Sequence, residues 1–143
     1  QIQSTLDSPE NPVKIVLEHT QSNQQIRLSG KVLEAQYLHG DNYLILTTEG
    51  TPFEEGLYIY YLNNKLQILD ALGLGMTYTA GFLENLQTPS PNTLSFTFFD
   101  DNERWELTIA AAGSFSPLFH AFPVKRRHSF FSKRWLRLQR SNN

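Results

Sequence analysis

The sequence contains no cysteine, which excludes disulfide bonds, thiol catalysis and thiolate metal ligands. This absence slightly favours a reducing compartment such as the cytoplasm, although many exported proteins also lack disulfides. The compartment stays open, because the chain begins at Gln1 and a signal peptide could have been removed ahead of it. No run approaches the ~18 apolar residues of a membrane span, so we expect a soluble protein.

Motifs that carry chemistry are also missing. No serine lies in a G-x-S-x-G elbow, and Gly73-Leu74-Gly75 lacks the third glycine of a dinucleotide-binding loop. The acidic cluster at residues 100–103 lacks the ligand pattern of a calcium loop. None of the four histidines has another histidine within four residues; they are His19, His39, His120 and His128. We therefore expect a chain that is not an enzyme and binds no metal and no cofactor.

The composition is that of a globular protein rich in aromatic residues. Ten Phe, six Tyr and two Trp in 143 residues favour strands and supply large buried areas. Short alternating runs predict seven to nine strands joined mostly by hairpins. We expect an all-β or β-rich α+β fold, a single-domain antiparallel meander that forms a small sandwich or barrel. Residues 1–12 are predicted to be a flexible arm, residues 13–124 the β domain, and residues 125–143 a basic aromatic C-terminal segment.

The first predicted hairpin joins the strand runs 26–38 and 43–49. Its Gly40-Asp41 centre suits a tight turn and would pair Tyr37 with Leu44, but a three-residue loop is equally compatible with the sequence, so the register stays open. The region after Gly81 is harder to assign. We read residues 82–86 as a short helix or a strand, and residues 87–92, which hold two prolines, as a loop.

A second hairpin is predicted at residues 57–70. Asn63-Asn64 suits a type I′ turn, which would place Tyr61 against Leu66 and Ile59 against Ile68. Both faces of this hairpin carry bulky side chains. Either both faces are covered, or one of them is an interface.

The third hairpin, residues 93–110, has the clearest pattern. A turn at Asp101-Asn102 would pair Leu94 with Ile109, Phe96 with Leu107 and Phe98 with Trp105. Every one of those pairs is apolar. The apolar face of this hairpin is therefore predicted to lie in the protein interior.

The charges are segregated along the chain. Seven of the twelve basic residues fall in residues 125–143, whereas all fourteen acids precede residue 107. The chain up to Val124 therefore carries −9 and the remainder +7. The basic segment can fold back on its own acidic body, bind an anionic partner such as nucleic acid or a membrane surface, or promote assembly with another chain. The acidic body argues against nucleic acid.

We expect a non-enzymatic binding domain that associates with another protein, or with itself, through the aromatic-rich sheet face or the basic segment. A small-ligand or lipid-binding β-barrel is the alternative. An anionic surface is a less favoured partner of the basic segment. The candidate interaction residues are Lys125, Arg126, Arg127, Phe131, Lys133, Arg134, Trp135, Arg137, Tyr58 and Tyr60.

Overall fold

The fold is built entirely of antiparallel strands wherever the structure, a computed structural model, describes the chain. It describes residues 2–6, 14–49, 56–75, 81–99, 102–114, 123–128 and 133–141, and these contain twelve strands and no helix. The strands are β1 (Ile2–Leu6), β2 (Lys14–His19), β3 (Gln25–Ser29), β4 (Val32–His39), β5 (Asn42–Thr48), β6 (Gly56–Leu62), β7 (Ile68–Gly75), β8 (Gly81–Ser90), β9 (Thr93–Phe99), β10 (Arg104–Ser114), β11 (Val124–Arg126) and β12 (Arg134–Arg140). The all-β prediction is confirmed. A helix able to cross a membrane is not found in the described ranges.

The strands form three sheets. β1, β2 and β3 make a three-stranded sheet, the order β12-β10-β9-β8 makes a four-stranded sheet, and the order β11-β7-β6-β5-β4 makes a five-stranded sheet. β4 to β7 follow one another in the sheet as they do in sequence, which confirms the predicted meander. The five-stranded sheet lies between the other two, so the sheets are stacked as the layers of a sandwich.

The main hydrophobic core lies between the five-stranded and the four-stranded sheet. Alternate residues of each strand point into it, as the two-residue period of a strand requires. Its largest members include Tyr61 from β6, Phe96 and Phe98 from β9, and Trp105 from β10, all at most 2% exposed. The predicted interior position of the hairpin at 93–110 is confirmed.

A second core covers the opposite face of the five-stranded sheet. Ile15, Leu17 and Leu28 of the three-stranded sheet pack there with Ile45 and Tyr60. The five-stranded sheet is therefore apolar on both faces, whereas each sheet of a two-layer sandwich has one face exposed to solvent. This explains the bulk on both faces of the hairpin at 57–70: each face has an apolar layer of the same chain against it.

The β4–β5 hairpin has the predicted register. Tyr37 pairs with Leu44, and Gly40 takes the left-handed conformation (φ 62°) that the tight turn needs. The run 26–38 is, however, two strands rather than one. Gly30 separates β3 from β4 with a φ of 111°, and the chain there changes from the three-stranded to the five-stranded sheet.

The predicted β6–β7 pairing is wrong by four residues. Tyr61 lies opposite Asp70, because the turn is longer than Asn63-Asn64. The side-chain oxygen of Asn63 accepts hydrogen bonds from the backbone N–H groups of Lys65 and Gln67, at 2.9 Å each, and this holds the wider turn. A bulge before Asp70 then reverses the side-chain alternation, so Leu66 is buried in the second core and not beside Tyr61.

The predicted β9–β10 register is wrong by two residues: Phe96 pairs with Trp105 and Leu94 with Leu107. A shift of two leaves every side chain on its own face, so the apolar pattern alone does not fix the pairing. Residues 81–90 form one strand, with the turn at 91–92, where the sequence predicted a loop from residue 87. Residues 2–6, predicted as part of an arm, form β1 and pair with β2; residues 7–12 lie outside the described residues.

Candidate functional site

The described parts of the basic C-terminal segment are built into the sandwich. β11 is the edge strand of the five-stranded sheet beside β7, and β12 is the edge strand of the four-stranded sheet beside β10. Leu136 and Leu138 alternate with polar residues along β12 and lie in the main core. The segment therefore completes one side of the sandwich, which we call the closed side, defined by β11 and β12.

Asp70 joins the two sheets at the closed side. Its carboxylate is fully buried and accepts hydrogen bonds from Ala71 N at 2.8 Å and from Arg126 Nε at 3.1 Å on one oxygen. The other oxygen accepts from the backbone N–H groups of Trp135 at 2.8 Å and Leu136 at 3.0 Å. A buried carboxylate needs such partners, because burial without them is costly. Asp70 thus ties β7, β11 and β12 together.

The remaining basic candidates differ in how far they are exposed. Arg127 is exposed and stacks over the Tyr58 ring at 4.5 Å, whereas Arg134 is only 6% exposed. Lys125, Lys133 and Arg137 are exposed as well, as is Arg140 at the end of β12. Phe131 lies outside the described residues.

The aromatic candidates are mostly interior. The Tyr60 hydroxyl accepts a hydrogen bond from Ser29 N at 3.0 Å, and its ring is buried beneath the three-stranded sheet. Trp135 is half-buried against the Tyr61 ring, with centroids 5.8 Å apart. Tyr58 is half-buried and donates to Glu49. Burial, then the hydrogen bond and negative charge of Glu49, raise the pKa of Tyr58 to about 12, although Arg127 opposes this.

The opposite side of the sandwich is open. The edge strands there are β4 and β8, and between them is a cavity of about 400 Å³. Its apolar walls include Leu44, Leu94 and Ile109, and residues 88–91 of the β8–β9 hairpin overhang it. Tyr37 also lines it, and burial raises the pKa of this phenol, which stays protonated as a hydrogen-bonding group. We call this side, defined by β4 and β8 with their turns at 40–41 and 91–92, the open side.

His39 links two hairpins by a hydrogen bond at one end of the open side. Its Nε2 donates to Asn92 Oδ1 at 2.6 Å, which joins the β4–β5 hairpin to the β8–β9 hairpin. Its Nδ1 then accepts from the Tyr61 hydroxyl at 2.7 Å, and that hydroxyl accepts from Asn42 Nδ2 at 3.1 Å. This set of bonds is complete with a neutral imidazole. It holds the two hairpins together beside the cavity.

Exposed apolar side chains mark the open side. Every large hydrophobic residue exposed in the described ranges belongs to β4 or β8: Val32, Leu38, Phe82 and Leu86, which are 39%, 71%, 55% and 36% exposed. Val32 begins β4 and Phe82 is the second residue of β8, whereas Leu38 lies near the His39–Asn92 bridge, so exposed apolar side chains occur at both ends of this side. The confinement of these exposed apolar side chains to two edge strands makes β4 and β8 the candidate contact strands.

Sequence reasoning missed the open side, because residues 82–86 were read as a short helix or a strand and residues 87–92 as a loop. The exposed Leu38 and the proline-rich overhang were visible in the sequence, but nothing there showed that they face each other. Comparison with protein-family models, with curated proteins and with solved structures finds no match to this chain. Three acidic or histidine side chains placed to hold a metal ion do not occur in the ranges that the structure describes.

Proposed function

We propose that this chain is a non-enzymatic binding domain that associates with another polypeptide at the open side of its sandwich. The observation that carries the proposal is the confinement of the large exposed hydrophobic residues to β4 and β8, on either side of a cavity of about 400 Å³. Protein contact sites typically combine such apolar anchors with a pocket that receives one of the partner's side chains.

The charge of the open side defines the partner's chemistry. The charged residues of β4 and β8 are Glu34 and Glu84, both exposed, and Asp41 follows in the adjoining turn. Neither strand itself carries a lysine or an arginine, although exposed Lys31 precedes β4 and the Arg104 guanidinium donates to the Asn85 carbonyl of β8 at 2.9 Å. A partner that combines basic and apolar side chains therefore fits this surface, because complementary charges steer the encounter and exclude acidic competitors.

The partner contacts this side through side chains more than through added backbone pairing. β8 contains Pro89 and departs from regular pairing with β9 at three places between Gly81 and Ser90. Bulges and proline on an edge strand oppose the addition of a further strand. Leu38 and Leu86 are thus expected to supply contact area, while the cavity accepts one apolar side chain.

A synthetic peptide of alternating lysine and leucine tests this function, with a peptide of alternating glutamate and leucine as the control ligand. In ¹⁵N-resolved NMR titrations of the whole chain, the basic peptide should shift backbone amides of β4 and β8. Glu84→Lys should weaken binding by about threefold to tenfold, as expected for reversing one rim charge. Glu18→Lys on β2 makes the same charge change away from the open side and should leave the affinity unchanged.

The proposal fails if the basic peptide does not bind, if the acidic peptide binds as well as the basic one, or if the shifted amides lie on other strands. The cavity also supports a second candidate function, binding of a small apolar ligand, because 400 Å³ lies within the usual range of ligand pockets. In that case a small aromatic probe such as indole should shift Leu94 and Ile109 more strongly than either peptide does.

A further inference from the structure

We infer that the polypeptide that binds the open side is a second copy of this chain, which docks by its closed side. This inference rests on the proposed function and deepens it by naming the partner. The two sides of the sandwich are oppositely charged. β11 and β12 carry Lys125, Arg126, Arg134, Arg137 and Arg140 and no acidic residue, the reverse of β4 and β8.

Some of this basic charge is used within the chain. Arg126 pairs with Asp70, and Arg140 pairs with Glu103 at 2.8 Å while lying over the Trp105 ring at 4.6 Å. Lys125 on β11 and Arg137 on β12 point outward and are exposed. Apart from Arg140, which is exposed but pairs with Glu103, each edge strand of the closed side thus presents one exposed cation, and each edge strand of the open side presents one exposed carboxylate, Glu34 or Glu84.

The charges also select the mode of contact. Two open sides facing each other would bring like carboxylates together, and two closed sides would bring lysine and arginine together. Such pairings are disfavoured relative to contact between unlike sides. When the open side of one copy contacts the closed side of another, the resulting pair still has one unoccupied open side and one unoccupied closed side. Repetition of this contact gives a ring or a filament and does not stop at a symmetric dimer.

Strand direction is compatible with this arrangement. β12, β10, β9 and β8 are antiparallel in turn, so the edge strands β12 and β8 run in opposite directions. A second copy in the same orientation would place its β12 antiparallel to β8 of the first and its β11 parallel to β4, because four antiparallel pairings separate β11 from β4. Arginine suits such contacts, because its aliphatic stem covers apolar surface such as Leu86 while the guanidinium stays polar.

Sedimentation velocity over a series of protein concentrations tests the inference. The series is measured in about 0.01 M and in about 1 M salt, because the Debye length falls from ~30 Å to ~3 Å between these conditions. At low salt the mean mass of the wild-type chain should rise with concentration beyond that of a dimer, and high salt should return it to the monomer. Glu84→Lys with Leu38→Ser disables the open side; Lys125→Glu with Arg137→Glu disables the closed side. Each double variant should require at least about tenfold more protein for the same mean mass. Glu18→Lys should behave as the wild type.

Mixing the two double variants is the decisive experiment. Only one pair of intact sides then remains, so the mixture should form a one-to-one pair at a concentration at which each variant alone stays monomeric. Each variant's circular dichroism and melting curve should match those of the wild type, because the replaced side chains are exposed. A wild-type chain that stays monomeric at low salt, assembly that stops at a symmetric dimer, or a mixture without pairs would overturn the inference. Binding of the lysine–leucine peptide in the same monomeric chain would leave the proposed function standing.

Discussion

Replacement of Asp70 by asparagine tests how the closed side is held. All four groups hydrogen-bonded to this carboxylate are donors: the backbone N–H groups of Ala71, Trp135 and Leu136, and the Arg126 guanidinium. Asparagine presents one oxygen and one NH₂ group, so in either orientation two of these donors lose their acceptor. Asp70 is fully buried, which prevents water from replacing it without rearrangement.

Breaking a buried ion pair costs about 3–5 kcal/mol. The lower end applies here, because Arg126 keeps a hydrogen bond to the Lys133 carbonyl at 3.1 Å. We therefore expect Asp70→Asn to lower the free energy of unfolding by about 3 kcal/mol and the melting temperature by roughly 10 °C. Urea denaturation and thermal melting measure both. Asp41→Asn, at the exposed β4–β5 turn, is the matched control and should cost less than about 0.5 kcal/mol.

A second variant separates the ion pair from the backbone bonds. Apolar residues often replace a buried ion pair at no net cost. Here Asp70→Leu with Arg126→Met should still cost about 2 kcal/mol, because the N–H groups of Trp135 and Leu136 remain without an acceptor. A loss below about 1 kcal/mol for Asp70→Asn, or a double variant as stable as the wild type, would refute the role given to Asp70.

Two further predictions concern the central sheet. Tyr58 has a pKa of about 12, so ultraviolet titration should show a late tyrosinate step that Tyr58→Phe removes and that Arg127→Gln moves higher. Because the folded-state pKa is raised above the usual tyrosine value of 10.0, the associated stability is fully present below pH 10.0 and is lost as the pH rises through about 12. A Tyr58→Phe chain with an unchanged late step would contradict this. Gly30→Ala should cost at least about 2 kcal/mol in urea denaturation, because its Cβ would lie 2.6 Å from the buried Thr47 Oγ1 at a φ of 111°. Gly40→Ala, with φ 62° and nothing within 4 Å, should cost about 1 kcal/mol, and equal costs for the two variants would show that the contact with Thr47 is unimportant.

Sequence patterns identified most strands and their buried faces, but not the pairings that depend on turns. The period of two places Phe96, Phe98, Trp105 and Leu107 inward whichever register is adopted, and so the pattern cannot distinguish registers that differ by two residues. At β6–β7 the Asn63 side chain extends the turn, and a bulge then reverses the alternation. Neither the hydrogen bonds of one asparagine nor a one-residue bulge leaves a mark in the two-residue period from which the register was predicted.

The candidate site was less accessible to sequence reasoning than the fold. The charge segregation located the basic strands, but their docking depends on Asp70, which lies 65 residues before Trp135 and carries no local signal. Likewise, the bridge between His39 and Asn92 joins positions 53 residues apart. Long-range contacts of single polar groups have no periodicity, and periodicity is what sequence reading relies on.

The late position of β12 along the chain has a consequence during biosynthesis. On the ribosome, β4 to β10 emerge while the carboxylate of Asp70 still lacks the two backbone donors that β12 supplies. Until β12 docks, the edge of β10 is unpaired, and part of the main core around Phe96 and Trp105 is exposed to solvent. Nascent chains in this condition are natural substrates for chaperones that bind apolar strands. Of the described strands, β12 is thus the last that can dock, after its neighbours β7 and β10 have been synthesised.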